Sequence, residues 1–411
     1  MRALIAGGSL GGLFAANMLL RAGWDVTMFE RAPARLDGRG AGIVTHPPLL
    51  EALSRAGCPA SSLGVAVQGR VTFGRDGAVV GRRALPQVLT SWSRLYRLLS
   101  AACPEAVIRR GWQLGGFQQD ASGVTARFTN GEQVRGDLLI GADGVRSAVR
   151  QQLHPGISAH YAGYVAWRGL VDEAALSPAT HADLFQQFAF SLPDGEQMLG
   201  YPIAGEDDDT RPGRRRYNFV WYRPADEACL HDMQTDLDGQ HHPDGIPPAL
   251  VRPALVEAMR ADAERLLGPQ FAEVVRRSPA PFFQPISDLA VPYLVQGRVA
   301  LLGDAGFVAR PHVGMGVTKA GQDAMALADA LGHGTVGEAL SAYAAARQPK
   351  GEAIVQRARL LGAYMQAAAR PGTDRAATDR HRTPHAVMAE TAWMAEAGSS
   401  GPSPSSGRSF N

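Results

Sequence analysis

Gly7-Gly8-Ser9-Leu10-Gly11-Gly12 follows the apolar run Ala3–Ala6 without a break. Closely spaced glycines at the end of a strand permit a sharp turn into a helix. The free amides and positive dipole of that helix then attract a diphosphate. In the GxGxxG spacing Gly7 supplies the turn, Gly8 and Leu10 flank the loop, and Gly12 lets the helix pack on the sheet. Ser9 replaces the second glycine and can offer its hydroxyl to a phosphate oxygen. Glu30 closes the next apolar segment, Trp24–Glu30. A carboxylate there accepts both hydroxyls of a ribose, which disfavours a 2′-phosphate, and Arg31 is placed to cover an adenine. Gly141-Ala142-Asp143-Gly144 and Gly303-Asp304 also follow apolar runs, Asp137–Ile140 and Arg298–Leu302. Asp143 can orient backbone amides toward a ligand, or merely serve a turn and a helix N-cap. Asp304 ends a parallel-type strand, on the edge of the sheet where ligands bind.

Each segment alone is a weak signal. In this order the three point to bound FAD, with Asp304 on the ribityl chain. Gly314, Met315, Gly316, Val317 and Thr318 then precede a helix whose N-terminus carries about half a positive charge, suited to a reduced flavin ring. A glycine-rich connection ahead of an amphipathic helix is the plainer alternative for that last stretch.

The elements that must position these residues follow from periodicity. Ala3–Ala6, a helix over Leu10–Ala22 ended by Gly23, and Trp24–Glu30 form a βαβ unit. Arg35–Thr45 reads as a loop, Pro47–Ala56 and Ser91–Ala102 as helices, and Val65–Val80 as a hairpin. From Tyr161 to Pro285 the pattern changes to long aromatic strands, Tyr164–Gly169, Phe185–Ser191, Gln197–Ile203 and Arg216–Arg223, under a helix at Pro253–Leu267. Thr318–Leu331 and Arg347–Arg370 read as helices. The last dozen residues, rich in Gly, Ser and Pro, are expected to be disordered.

Composition excludes several classes. At 45% hydrophobic and 19% charged residues the chain is globular, and its net charge of +2 includes no basic block that would hold nucleic acid or an anionic membrane. Lys319 and Lys350 are the only lysines. Cys58, Cys103 and Cys229 are odd in number and far apart, which argues against a disulfide frame or a thiolate metal site and suits a reducing cytoplasm. No apolar span reaches the roughly 18 residues a membrane helix needs, so a soluble cytoplasmic protein is expected. His231, His241 and His242 with Asp232, Asp236, Asp238 and Asp244 lack regular ligand spacing, so no metal is expected. Glu206–Asp209 and Arg214–Arg216 read as exposed turn chemistry.

Five further segments narrow the reading: Arg39-Gly40-Ala41-Gly42-Ile43-Val44, Tyr161–Gly169 (YAGYVAWRG), Tyr201–Gly205 (YPIAG), Asn218–Tyr222 (NFVWY) and Arg310-Pro311-His312. With the glycine–aspartate segments they resemble the single-component FAD-dependent aromatic hydroxylases, specifically the 2,6-dihydroxypyridine 3-hydroxylase branch, over residues 1–350. The resemblance implies an α/β fold: a Rossmann-like FAD-binding domain of the glutathione-reductase type with an inserted mixed or antiparallel β-sheet substrate domain and a C-terminal helical segment. The expected division is 1–70, 91–158 and 283–345 for FAD, 71–90 and 159–282 for substrate, 346–370 for the helix and 371–411 for a tail. It implies Glu30 on the adenosine ribose, Gly40–Val44 with Arg39 along the flavin ring, Asp304 and Gly314–Thr318 on ribityl and ring, and Asp143 on a pyrophosphate. Many relatives place an arginine on FAD just before the Ser91–Ala102 helix; here Trp92 stands there, and Arg94 or Arg97 is the substitute.

The activity implied is hydroxylation of a small electron-rich aromatic, a hydroxypyridine or another N-heterocycle, with O2 and with NADH or NADPH as electron donor. No second GxGxxG follows a strand-like run, so the nicotinamide is expected to bind transiently. A base or acceptor for a ring hydroxyl would activate such a substrate. His46 and Tyr222 are the catalytic candidates; Tyr201, Asn218 and Pro311 are the substrate-binding ones, and all could equally be core. Asn218 and Tyr222 share a strand face. A flavin oxidoreductase of another reaction type (a urate-type or phenol hydroxylase, or an epoxidase) and a non-catalytic flavin-binding redox sensor are the rivals. A halogenase would need a WxWxIP segment, absent here. Ile354–Met365 and Met388–Met394 have apolar helical positions that dock on the body or in a homodimer.

Overall fold

The computed structural model describes residues 1–36, 42–59, 63–366 and 378–392. Its first layer is a six-stranded sheet in the order Val295–Gln296, Val299–Leu301, Leu138–Gly141, Arg2–Ala6, Asp25–Glu30, Ile108–Arg110, parallel except for the first strand. Its central strands are apolar runs because both faces are covered. The helix Leu10–Arg21 packs against Gly316–Leu331, and Phe14, Leu49, Leu95 and Leu327 are buried with the strands in one core. A three-stranded meander, Leu114–Asp120, Gly123–Phe128 and Gln133–Gly136, has its last two strands joined at Asn130-Gly131 and leads back into this sheet at Leu138.

The second layer is a nine-stranded sheet in the order Phe307–Val308, Phe282–Ala290, His160–Asp172, Arg216–Pro224, Gln197–Ile203, Gln187–Ser191, Val65–Phe73, Val79–Ser91, Gly42–Val44. All neighbours are antiparallel except Gln187–Ser191 against Val65–Phe73. Side-chain alternation sorts its strands into two faces. Val165, Trp167, Tyr217, Phe219 and Trp221 point to a core closed by the helices Pro253–Leu266 and Pro269–Arg277. Tyr164, Ala166, Tyr201, Val220 and Tyr222 point the other way, toward Val44, Met365 and Met388. Burial of each large side chain contributes about 1.5–3 kcal/mol.

Several elements differ from expectation. Gly42–Val44, read as loop, is a strand paired with Leu89–Ser91. The hairpin is longer, Val65–Phe73 with Val79–Ser91, and crosses the expected division at residue 70. Phe282–Ala290, expected to begin the return to the cofactor domain, belongs to the second sheet. The long C-terminal helix starts at Val336, where Thr335 and Glu338 form a capping box, and ends at Gly362. Residues 378–392, expected in the tail, include the helix Pro384–Glu390, and its Val387 and Met388 are buried on the second sheet. The final dozen residues lie outside the described ones.

Candidate active site

The carboxyl ends of the parallel strands open onto a cleft of ≈ 360 Å³ lined by Gly7, Ser9, Leu10, Glu30, Arg31, Asp143, Gly303, Asp304, Gly316 and Val317. Three sequence-distant segments therefore meet at one edge. Only glycine fits at position 12, because a Cβ there would lie 1.9 Å from the Gly7 carbonyl oxygen. Gly8 and Gly12 sit behind the lining. Gly8 N donates to Glu30 Oε2 and Ala32 N to Glu30 Oε1, both at 2.8 Å, so the carboxylate is fixed with lone pairs to spare. Ser9 precedes the helix without capping it through its side chain, which leaves first-turn amides for a ligand.

Asp143 serves the start of the helix Ala148–Leu153. Its Oδ2 accepts from Ala148 N at 2.7 Å and Val149 N at 3.3 Å, while its Oδ1 is buried without a partner. Burial pushes its carboxyl above the usual value. Gly303 N donates to Asp323 Oδ2, and Asp323 is paired with Arg347 at 2.7 Å, so the Gly303-Asp304 turn rests on a buried ion pair. Lys319 Nζ, fully buried and without a hydrogen-bond partner, lies 3.7 Å from Asp304 Oδ1. The donor set fits FAD: amides and a helix end for the diphosphate, Glu30 for the ribose, and at Asp143 a buried carboxylate oxygen without a hydrogen-bond partner.

Arg97 does not serve this cleft. It and Arg94 turn to Asp208, Arg94 at 2.8 Å, and Asp208 is only 13% exposed, so that acidic turn is not simply solvated either. Trp92 lines the cleft in place of an arginine, together with Leu36, Trp112 and Gln113. Trp112 escaped the sequence reading because the strand Ile108–Arg110 that delivers it is only three residues long; its signal was an aromatic following that short run.

A second group lies beyond the helix Gly316–Leu331. Arg39, Gly40 and Ala41 are outside the described residues. Gly42 N donates to Asn218 Oδ1 at 3.1 Å, and a Cβ on Gly42 would lie 2.4 Å from the Tyr201 ring. Tyr201 and Asn218 thus hold the strand Gly42–Val44, with Ile43 and Val44 paired to Thr90 and Leu89. His46 is buried between Thr318 Oγ1, 3.2 Å from Nδ1, and the Ala392 carbonyl, 3.1 Å from Nε2. The carbonyl can only accept, so Nε2 carries the proton and Thr318 donates to Nδ1. His46 therefore has no free lone pair for a substrate proton while Ala392 is in place. Burial lowers its pKa, so the ring is neutral.

Pro311 opens the short turn Pro311–Val313 and leads to Gly314 and Met315, the latter buried against Ile354 and Leu361. Behind Pro311, Arg310 pairs with Asp288 at 2.7 Å, both 1% exposed. His312 is buried with its Nε2 2.8 Å from the Tyr164 hydroxyl and its Nδ1 unpartnered. Burial and Arg310 bring its pKa down to about 3. Tyr222 faces it, ring centroids 4.3 Å apart. Burial raises the Tyr222 hydroxyl to about 12, so it donates hydrogen bonds and does not act as a phenolate base. Among the described residues no group of three or more His, Cys, Asp or Glu could hold a metal ion, and no helix is long and apolar enough to cross a membrane.

The chain is similar to known proteins in sequence and fold. Residues 161–288 match a family model described as FAD binding domain-like. A 2,6-dihydroxypyridine 3-monooxygenase of Paenarthrobacter nicotinovorans is 33% identical over 330 residues, 80% of this chain and 82% of that one. A salicylate hydroxylase of Pseudomonas putida is 29% identical, over 85% of this chain and 82% of its own. The solved structure of 2,6-dihydroxypyridine-3-hydroxylase from Arthrobacter nicotinovorans matches with a TM-score of 0.84 at 31% identity, covering 90% of this chain and 95% of that one. A Klebsiella pneumoniae HpxO variant complexed with FAD matches at 0.75 and 25% identity, covering 95% of each chain.

Proposed function

The chain belongs to the family of FAD-dependent aromatic hydroxylases, and from that premise we propose that its substrate is a hydroxylated N-heteroaromatic ring, a hydroxypyridine first, with NADH or NADPH as donor and O2 as co-substrate. FAD supplies the electron storage and oxygen transfer; the protein's own residues bind, orient and exclude water. Glu30, Asp143, Asp304 and the amides at the two helix ends are the residues assigned to hold it.

The observation that carries the ring-class reading is the set of neutral polar groups on the face beyond Thr318. His312 Nδ1 and Asn218 Nδ2 are buried without partners, and the Tyr222 hydroxyl stays protonated. A ring bearing in-plane oxygen and nitrogen atoms satisfies such groups; a plain hydrocarbon ring leaves them unpaired at about 1–3 kcal/mol each. The relative that hydroxylates dihydroxypyridine by name supports the same class.

Tyr222 is assigned to donate to a ring oxygen. The Tyr164 hydroxyl, fixed on His312, orients that imidazole. His46 is assigned to hold Thr318 in place, and acts on a proton only through Thr318. The test is a screen of FAD-loaded protein for ligand-stimulated NADH and NADPH oxidation across hydroxypyridines, urate, salicylate and simple phenols. The reading expects hydroxypyridines to accelerate oxidation most; stimulation by phenols alone would overturn the ring class and leave the hydroxylase family intact.

A further inference from the structure

Arg168 has no role in what has been described, yet it occupies an unusual position. It lies on His160–Asp172 on the same face as Tyr164 and Ala166, the face turned toward the aromatic cluster and away from the helices. In register it pairs with Val220, so Asn218 and Tyr222 are its diagonal neighbours on the adjacent strand, and Tyr201 lies one strand further, opposite Asn218. Diagonal neighbours are about 7–8 Å apart at the backbone, within reach of a long side chain. Its charge opposes the larger effect of burial on the Tyr201 and Tyr222 hydroxyls.

Half-buried guanidinium groups are normally neutralised or fully hydrogen-bonded. The others in this sheet are. Arg215 holds Glu173, Arg223 holds Glu196 and Asp262, and Arg70 holds Gln87 and the carbonyls of Met388 and Thr391. Among the described residues nothing pairs with Arg168, and its Nε is buried without a partner. Unlike Tyr201, Asn218 and Tyr222, which are buried, Arg168 keeps part of its surface exposed.

We propose that Arg168 is the anion-binding residue of the substrate chamber, and that the ring is taken up with an anionic oxygen directed at its guanidinium between Asn218 and Tyr222. The ligand class is therefore an aromatic ring carrying an oxyanion or a carboxylate. The inference rests on the proposed function and deepens it. An oxyanion also raises electron density in the ring to be hydroxylated, so the same contact serves recognition and reactivity.

The test is equilibrium binding to FAD-loaded protein, read from the perturbed flavin absorbance without turnover. The probes are 2,6-dihydroxypyridine, a hydroxypyridine carboxylate and a neutral methoxypyridine. Arg168→Gln is expected to weaken both anionic probes about 10- to 100-fold, the loss of one charge-assisted hydrogen bond, with neutral-probe binding and FAD content unchanged. Arg168→Lys recovers part of the affinity. Lowering the pH below the dihydroxypyridine's own pKa weakens that probe but not the carboxylate, which separates the two anion sources. Anionic probes bound as tightly by Arg168→Gln as by the wild type overturn the inference alone. A wild type that holds FAD yet binds none of the three rings removes the proposed function and this inference together.

Discussion

The cleft and the buried aromatic group that forms the substrate chamber of the proposal are built by opposite means. The cleft is assembled from short local motifs, each a strand end, a turn and a helix start, so its chemistry is mostly backbone amides, three carboxylates and the ends of two helices. The chamber takes single side chains from strands and turns spread over the rest of the chain, Tyr164, Tyr201, Asn218, Tyr222 and His312. A diphosphate needs the same geometry in every protein that binds it; a ring recognised by side chains does not. That difference predicts which changes empty one region while sparing the other.

The largest effect is expected where the two regions are tied together. Arg310 leads into the Gly314–Thr318 turn, Asp288 sits on the nine-stranded sheet, and both are fully buried. Arg310→Met leaves Asp288 buried with only Arg359, and a broken buried pair costs about 3–5 kcal/mol; urea unfolding measures it, and a loss under 1 kcal/mol would deny the tie.

Gly12→Val comes next. The side chain collides with the Gly7 carbonyl, and overpacking of about 3 kcal/mol corresponds to roughly 100-fold weaker FAD binding. Tyr222→Phe should leave FAD binding as it is. If the two variants lose FAD alike, the regions are not separable. Glu30→Ala removes the acceptor of two amides and should raise the FAD dissociation constant about 30-fold, one charge-assisted contact, by fluorescence titration.

The pH dependence belongs to the chamber. His312 titrates near 3 when folded, against 6.5 when unfolded. Between those values the unfolded chain binds a proton that the folded one refuses, so stability falls as pH drops below about 6.5 and is complete above it. By pH 5 this amounts to about 2 kcal/mol, and His312→Asn should flatten that part of the stability profile. An unchanged profile would show that His312 is not held neutral. Arg97→Ala is the smallest: with its partner Asp208 outside the cleft lining, FAD affinity should stay within about twofold, since such half-exposed pairs contribute about 0–1 kcal/mol.

The same contrast explains what could be read in advance. Gly7, Glu30, Asp143 and Asp304 were legible because each closes an apolar run and must lie on the sheet's carboxyl edge. Arg97 was misplaced because the helix register does not show which side chain finds a carboxylate, and Asp208 lies more than a hundred residues away. His46 was picked as a base, but both its ring nitrogens are engaged, and the second partner, Ala392, belongs to a segment expected to be tail. Gly42–Val44 looked like loop because three residues carry no period, and its strand character comes from Leu89–Ser91 across the ladder.

The central claim is that FAD-borne oxygen transfer in the cleft is directed onto a hydroxylated ring in the adjoining chamber. The direct measurement is turnover of 2,6-dihydroxypyridine by FAD-loaded protein under ¹⁸O2, with mass analysis of the product. The account predicts a product heavier by one ¹⁸O atom on the ring, formed only when NADH or NADPH is consumed. NAD(P)H oxidation with all the oxygen recovered as hydrogen peroxide, and no labelled ring from any hydroxylated aromatic, would contradict it.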